Sequence, residues 1–317
     1  MKLLTFANGD TMPIFGLGTW KANSGDVYKS VKTALQIGYR HIDCAPVYGN
    51  ETEVGQAISE AIDEGTVSRE ELWITSKLWN NSHSVGDVQP ALEKTLADLQ
   101  LESLDLYLIH WPVLIKQEFL FQRSGEDLVP LAEIPIADTW KVMERLKDEG
   151  LCRHLGVSNF SIKKLKALSE TARQAPEMNQ IELHPYLQQP KMLEFCAANH
   201  IHLTAYAPLG STDRPDRLKV DNEPLLLKDP VITTIAEKHS ASPAQVLIAW
   251  SIQRNVAVIP KSVNPERIKQ NFEAMQLSLS ADEMADINSL DRHRRYINGT
   301  FWTMAGSPYT LENLWDE

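Results

Sequence analysis

Short apolar runs and longer amphipathic runs alternate along the whole of this chain. Eight of the short runs have the length and composition of buried strands: Phe15–Gly18, His41–Cys44, Leu72–Lys77, Leu104–Ile109, His154–Ser158, Met178–Ile181, His202–Tyr206 and Val256–Ile259. Between them lie amphipathic runs at Val27–Ile37, Glu51–Glu64, Leu92–Leu99, Thr139–Glu149 and Lys191–Asn199. Strands that alternate with helices pair in parallel through right-handed crossovers. Eight such units predict an α/β fold, the closed (β/α)8 TIM barrel, with an open doubly wound sheet as the competing architecture.

Local signals mark several boundaries. Ser242, Pro243 and Gln245 offer an N-cap, a first-turn proline and a capping-box partner, and Ser280 with Glu283 repeats the box. Leu3–Phe6, Asn8-Gly9 and Met12–Ile14 read as a hairpin ahead of the first barrel strand, placed to plug the barrel's N-terminal end. Val113–Ile134, Pro208–Pro230 and Asp291–Glu317 have no clear period. Loops this long in a compact domain are usually functional or disordered. The aromatic residues in them (Phe119, Phe121, Phe301, Trp302, Tyr309, Trp315) favour pocket walls. No repeat, low-complexity run or linker interrupts the pattern. One domain over residues 1–317 is expected, with the hairpin in 1–14 and a C-terminal pocket loop in 291–317.

Composition narrows the function classes. A chain of 317 residues buries roughly three quarters of the surface it exposes when unfolded, enough to enclose a dry site. A formal net charge of -11 argues against a nucleic-acid surface but leaves room for a local basic cleft. Cys44, Cys152 and Cys196 fit neither a disulfide framework nor a zinc site, so reduced thiols and a cytoplasmic setting are expected. The apolar start, Met1 to Leu4, ends by Asn8-Gly9-Asp10, too soon for a signal peptide, and no apolar run is long enough to span a bilayer. His154, His184, His202 and Cys196 lack metal-ligand spacing and read as structural, so no metal is expected.

The chemistry lies at the strand ends. Asp43 ends the second predicted strand and Tyr48 follows in the next loop; Lys77 ends the third strand and His110 closes the fourth. Barrel active sites form on this C-terminal rim. A tyrosine is a poor acid near neutral pH. A lysine beside it stabilises the phenolate, an aspartate holds that lysine, and a histidine can orient a carbonyl oxygen toward the phenol. Singly, each residue has an ordinary structural explanation; four complementary groups on one rim make a site. Trp20, Trp79 and Trp111 follow strand C-termini and are expected to wall a pocket with Val47, Phe121 (or Phe119) and Trp302, whereas Trp73, Trp140 and Trp250 are expected in the core. A Rossmann fingerprint is absent: Gly16-Leu17-Gly18 gives only part of it. Lys261, Ser262 and Arg267 precede or open a helix and form a candidate anion site. A barrel lyase with Lys77 as Schiff-base nucleophile and a non-catalytic dinucleotide sensor are the rival readings.

Gly38 to Ala45, continuing through Tyr48-Gly49-Asn50-Glu51 to Val54-Gly55, resembles the aldo-keto reductase family. So do Lys77 after Ile74-Thr75-Ser76, Ile109-His110-Trp111-Pro112, Gly156 to Phe160, Asn179-Gln180, Tyr206 to Gly210, and Ile259-Pro260-Lys261-Ser262 with Arg267 and Asn271. The resemblance runs in order from about Gly16 to Asn271. It implies NADPH-dependent reduction of aldehydes and ketones by a cytoplasmic, monomeric barrel, as in aldehyde reductases and NADP+-linked alcohol dehydrogenases. Ser307 to Trp315 looks like the end of microbial alcohol dehydrogenase-type relatives. The resemblance further implies that Tyr48 is the general acid, tuned by Lys77 and Asp43, with His110 positioning the carbonyl. Gly18, Thr19, Trp20, Lys21 and Asp43 would line the cofactor site. Ser158, Asn159 and Gln180 would contact the nicotinamide carboxamide, and Tyr206 would stack on the ring. Ala207, Leu209, Ser211 and Asp213 would begin a loop over the pyrophosphate, closed by pairing of Asp213 with Lys21 or Lys261. Lys261, Ser262, Val263 and Arg267 would hold the adenosine 2′-phosphate, with Gln270 and Asn271 near the adenine. Ala207 and Gln270 depart from the residues common in relatives, a serine and a glutamate.

Overall fold

A computed structural model describes residues 2–317; Met1, the first residue of the expected domain, lies outside them. Eight parallel strands form one sheet: β1 (Leu17–Gly18), β2 (His41–Asp43), β3 (Trp73–Leu78), β4 (Leu104–Ile109), β5 (Cys152–Ser158), β6 (Met178–Glu182), β7 (His202–Tyr206) and β8 (Ala257–Val258). They are arranged in sequence order. The two edges meet: Gly16 N–H donates to the Val258 carbonyl (2.9 Å) and Val258 N–H to that of Ile14 (2.8 Å). A parallel bridge between Phe15 and Val258 completes the join. The competing open sheet is thereby excluded, and the fold is the (β/α)8 barrel.

Glycine makes this seam possible. A Cβ on Gly18 would sit 2.7 Å from the Ile259 carbonyl oxygen, and one on Gly16 would sit 2.7 Å from the His41 ring. Gly16-Leu17-Gly18 is therefore a closure device for the barrel, where the sequence suggested only a fragment of a nucleotide fingerprint.

β3, β4 and β6 are buried throughout because helices cover the outside and side chains fill the inside. The connecting helices are α1 (Asp26–Ile37), α2 (Glu51–Asp63), α3 (Val88–Leu99), α4 (Ile136–Asp148), α5 (Ile162–Thr171), α6 (Pro190–Ala198), α7 (Pro230–Lys238), α8 (Pro243–Gln253) and α9 (Pro265–Glu273). In α1, Val27, Val31, Ala34 and Leu35 form the buried stripe that helical spacing dictates. α3 starts at Val88, earlier than its apolar run suggests, because Pro90 falls in the first turn, where no backbone donor is needed. Ser242 caps α8 as expected, with Gln245 bonding back at 2.8 Å, and Ser280 and Glu283 box the start of α10 (Ala281–Asn288). A five-residue α11 (Leu311–Trp315) lies in the C-terminal stretch.

The hairpin pairs Leu3–Thr5 with Thr11–Pro13 and buries Leu4, Phe6 and Met12. Phe6 stacks on Trp73 (5.2 Å) and lies 4.2 Å from the ring of His154. His154 is itself held between Asp10 of the hairpin (3.0 Å) and Glu177 at the foot of β6 (3.1 Å). Trp73, Trp140 and Trp250 are core residues. No helix among the described residues is long and apolar enough to cross a membrane.

If Gly18 closes the barrel, Gly18→Ala should lower stability by roughly 1–3 kcal/mol, the range for overpacking a tight core. Thermal unfolding measures this, and an unchanged midpoint would show that the seam has slack.

Candidate active site

The four predicted chemical groups meet on the C-terminal rim. Asp43 ends β2, Tyr48 ends the short 3-10 turn Pro46–Tyr48, Lys77 lies near the end of β3, and His110 follows β4. Lys77 is fully buried, and all three of its ammonium protons are used. They go to Asp43 Oδ1 (2.6 Å), the Cys44 carbonyl (2.8 Å) and Tyr48 Oη (3.4 Å). Gln180, from across the barrel on β6, donates to the other Asp43 oxygen at 2.7 Å. That contact makes Gln180 a support of the ion pair. One of its two amide protons is used there, and the side chain also lines the cavity, where the sequence suggested a nicotinamide contact.

The electrostatics follow from burial. Burial pulls the Lys77 ammonium down, but Asp43 and then Tyr48 offset this, and its pKa is raised above the usual lysine value. Burial raises the Tyr48 phenol to about 12; Lys77 opposes the rise and does not cancel it. Loss of water around the phenolate outweighs one cation at 3.4 Å. Burial, then Lys77, then His83 hold His110 well below the usual histidine range, so its ring is neutral at pH 7. Nδ1 of His110, both ring nitrogens of His83 and the side-chain amide of Asn80 are buried without a hydrogen-bond partner among the described residues. The His110 ring is wedged edge-on between Tyr48 (5.9 Å) and Trp79 (5.0 Å).

Tyr48 and His110 open into a cavity of about 1190 Å³ that runs across the rim. Gly18, Thr19, Trp20, Lys21 and Asp43 line it near β1 and β2. Ser158, Asn159, Gln180 and Tyr206 line its floor. They are also bonded to one another: Ser158 Oγ donates to the Gln180 carbonyl (2.8 Å), and Tyr206 Oη donates to Asn159 Oδ1 (2.7 Å). Asn159 Nδ2 in turn donates to the His110 carbonyl (3.0 Å). Ala207, Leu209, Ser211 and Asp213 come from the loop after β7. Lys261, Ser262, Val263, Arg267, Gln270 and Asn271 come from the end of β8 and from α9. Lys21, Asn159, Ala207 and Ser211 all have left-handed backbones (φ 60°, 64°, 48° and 44°), a strained conformation for residues with a Cβ that concentrates at ligand-holding sites.

Asp213 pairs with Lys21 at 2.8 Å and with Lys261 at 3.4 Å, so it engages both cations that the sequence offered as alternatives. Trp20, Val47, Trp79, Trp111, Phe121 and Trp302 line the cavity at its other end. Phe119 does not contribute; it packs under the Arg123 guanidinium at 4.9 Å. Gln122, Ile297, Phe301 and Met304 complete this end. Of these, Phe301 was foreshadowed by the aromatic content of its loop. Ile297, Met304 and Gln122 carry no signal in the sequence, because irregular loops have no period to reveal an inward side.

A family model described as Aldo/keto reductase family matches residues 14–292. The chain is 55% identical to an aldo/keto reductase of Synechocystis sp., over all of this chain and 97% of that protein. It is 47% identical to the Rattus norvegicus aldo-keto reductase family 1 member A1, over 91% of this chain and 89% of the relative. Among solved structures, an aldose reductase from Schistosoma japonicum superposes with a TM-score of 0.88 at 40% identity, covering 97% of each chain.

Behind the ion pair, on the outer face of β3, lies a second buried acid. Glu51 opens α2, is 3% exposed, and accepts from Ser76 Oγ (2.5 Å) and Thr95 Oγ1 (3.1 Å). Burial pushes its carboxyl up to about 7, against the two hydroxyl hydrogen bonds. A carboxyl whose folded pKa is raised binds its proton more tightly in the native state. Its stabilising effect is complete below its unfolded pKa and is lost as pH rises from about 4.5 to about 7. Glu51→Gln keeps a donor and an acceptor for Thr95 and Ser76. It should stabilise the protein above pH 7 by on the order of 2–4 kcal/mol and flatten the stability profile between pH 5 and 7. Urea unfolding at several pH values tests this, and parallel profiles for the two proteins would refute it.

Proposed function

Since this chain belongs to the aldo/keto reductase family, oxidoreductases that act on aldehydes and ketones, we propose that it reduces a carbonyl to an alcohol with NADPH, using Tyr48 as the proton donor. One observation carries the proposal: the Tyr48–Lys77–Asp43 chain opens into the same cavity that Lys261, Ser262 and Arg267 line.

The donor set fits an anionic dinucleotide. Lys261 and Arg267 supply cations, Ser262 a hydroxyl, and α9 an N-terminus capped by Asn264. Together they suit a phosphate monoester, which favours NADPH over NADH. Tyr206, fixed through its hydroxyl by Asn159, offers a flat face for an aromatic ring. When bound, the nicotinamide supplies the hydride.

The chain's own residues handle the proton. As negative charge gathers on the substrate oxygen, Tyr48 Oη delivers a proton to it. An alkoxide is a far stronger base than a phenolate, so a phenol with a pKa near 12 still gives up its proton at that moment. Lys77 compensates the charge left on the phenolate, while Asp43, steadied by Gln180, keeps Lys77 in place. A neutral His110 donates a ring N–H to the oxygen without adding a second cation. The tryptophans at the far end suit the apolar body of an aldehyde and exclude water. The buried free thiols of Cys44, Cys152 and Cys196 agree with a reducing, cytoplasmic setting.

Tyr48→Phe should therefore abolish NADPH-dependent reduction, a loss of at least ~10²-fold, while NADPH still quenches protein fluorescence with an unchanged Kd. Retained turnover would remove Tyr48 from the mechanism. Because the acid must be protonated, reduction by the native enzyme should be level through neutral pH and decline only at the alkaline end. Lys261→Ala should weaken NADPH by roughly tenfold or more and leave NADH nearly unaffected; equal losses for both cofactors would argue against a 2′-phosphate contact.

A further inference from the structure

Glu182 ends β6, two residues beyond Gln180, and so points to the same inner face of the strand. It is 1% exposed. It does not line the cavity, and no step of the proposed chemistry uses it. Yet its carboxylate is held in a fully specified way. Oε1 accepts the Tyr296 N–H (2.6 Å) and faces His184 Nε2 (2.8 Å), while Oε2 accepts the Ile297 N–H (2.8 Å). Two successive backbone amides of the C-terminal segment are thus gripped by one buried carboxylate. Charge-assisted bonds of this kind are short and directional.

Both ends of this grip lead to the cavity. Glu182 lies opposite Tyr206 in the β6–β7 register, and the Leu183 N–H bonds the Tyr206 carbonyl at 3.4 Å. Tyr206 is the proposed cofactor platform and connects through Asn159 to His110. On the other side, Ile297 is itself cavity wall, and Trp302 follows five residues later. Upstream, the Arg292 and Arg294 N–H groups bond the Tyr186 carbonyl, and Tyr296 Oη bonds that of Pro224. Further along the wall, side chains from elsewhere in the chain hold carbonyls only, Trp315 Nε1 that of Asn298 (2.8 Å) and Gln122 Nε2 that of Phe301 (2.6 Å), so Glu182 alone grips backbone N–H groups at its entry. Glu182 is where the segment enters the cavity.

We propose that Glu182 is a positioning residue for substrate, fixing the wall from Ile297 to Trp302 at a set distance from the Tyr206 platform. Resting on the reductase reading of the cavity, this makes the carboxylate a determinant of how large a carbonyl compound is held in register with Tyr48. A small aldehyde that reaches only Tyr48 and His110 does not depend on it. A bulky one that fills the space up to Ile297 and Trp302 does.

Glu182→Gln separates the two cases, because an amide nitrogen replaces one acceptor and faces a backbone N–H. The KM for 2-naphthaldehyde should rise about tenfold, the cost of losing one charge-assisted bond. The KM for propanal, kcat for both substrates and the Kd for NADPH should all stay within about twofold. Equal losses for both aldehydes, a parallel loss of NADPH affinity, or no change in any constant would overturn the proposal. A measurement on the native protein covers the case in which this variant fails to fold. The Tyr296 and Ile297 amides should exchange with solvent at least ten times more slowly than those of Asn298 and Thr300; equal rates would show that the grip is not maintained. Exchange needs no turnover, so failure of the Glu182 proposal and failure of the reductase reading are distinguishable.

Discussion

The structure of this site depends on a charge that water does not reach. Burying an ammonium costs several kcal/mol unless its protons and its counter-ion are all satisfied. Lys77 meets that condition completely: three protons find three acceptors, and the Asp43 oxygen not used by Lys77 is taken by Gln180. The arrangement fixes β2, β3 and β6 relative to one another at the rim, and it aims the one remaining polar neighbour, the Tyr48 hydroxyl, into the cavity. It also bears on the lyase alternative. An amine with every proton engaged, a raised pKa and no exposed surface is poorly placed to attack a carbonyl carbon.

Much of this was legible in the chain because the barrel converts sequence order into position. A residue at the end of a strand run is on the rim, so Asp43, Lys77 and His110 could be grouped without knowing any distance. Contacts across the barrel could not be read that way. Gln180 and Asp43 are 137 positions apart, and no local pattern announces that their side chains meet. Burial was equally hidden: the sequence shows a lysine near a tyrosine, but the balance between cation and desolvation at Tyr48 appears only once the phenol is seen to be enclosed. The glycines at 16 and 18 illustrate a third gap. Their requirement comes from backbone across the seam at Ile259 and a ring at His41, neither of them a neighbour in sequence.

The long loops divide along the same line. Aromatic content suggested a wall built from the C-terminal stretch, since large rings in an irregular segment must pack somewhere; Phe301 and Trp302 line the cavity, whereas Tyr309 and Trp315 pack behind it. Which residues face inward was set by anchors outside the loop itself, among them the Glu182 carboxylate and the hydrogen bond from Gln122 Nε2 to the Phe301 carbonyl. An irregular backbone takes its orientation from such anchors, so its pattern becomes intelligible only after the strands that supply them are placed.

The two lysine–aspartate clusters at the cavity differ sharply in their exposure to solvent. Lys77 and Asp43 are at most 2% exposed, whereas the Asp213 side chain is 54% exposed where it meets Lys21 and Lys261. Dissolved ions screen charges over about 8 Å at physiological ionic strength, but they act on groups they can approach. The medium can therefore weaken the Asp213 pairs while leaving the inner pair untouched. At this cavity the outer ion pairs answer to the surrounding electrolyte, and the inner pair is insulated from it.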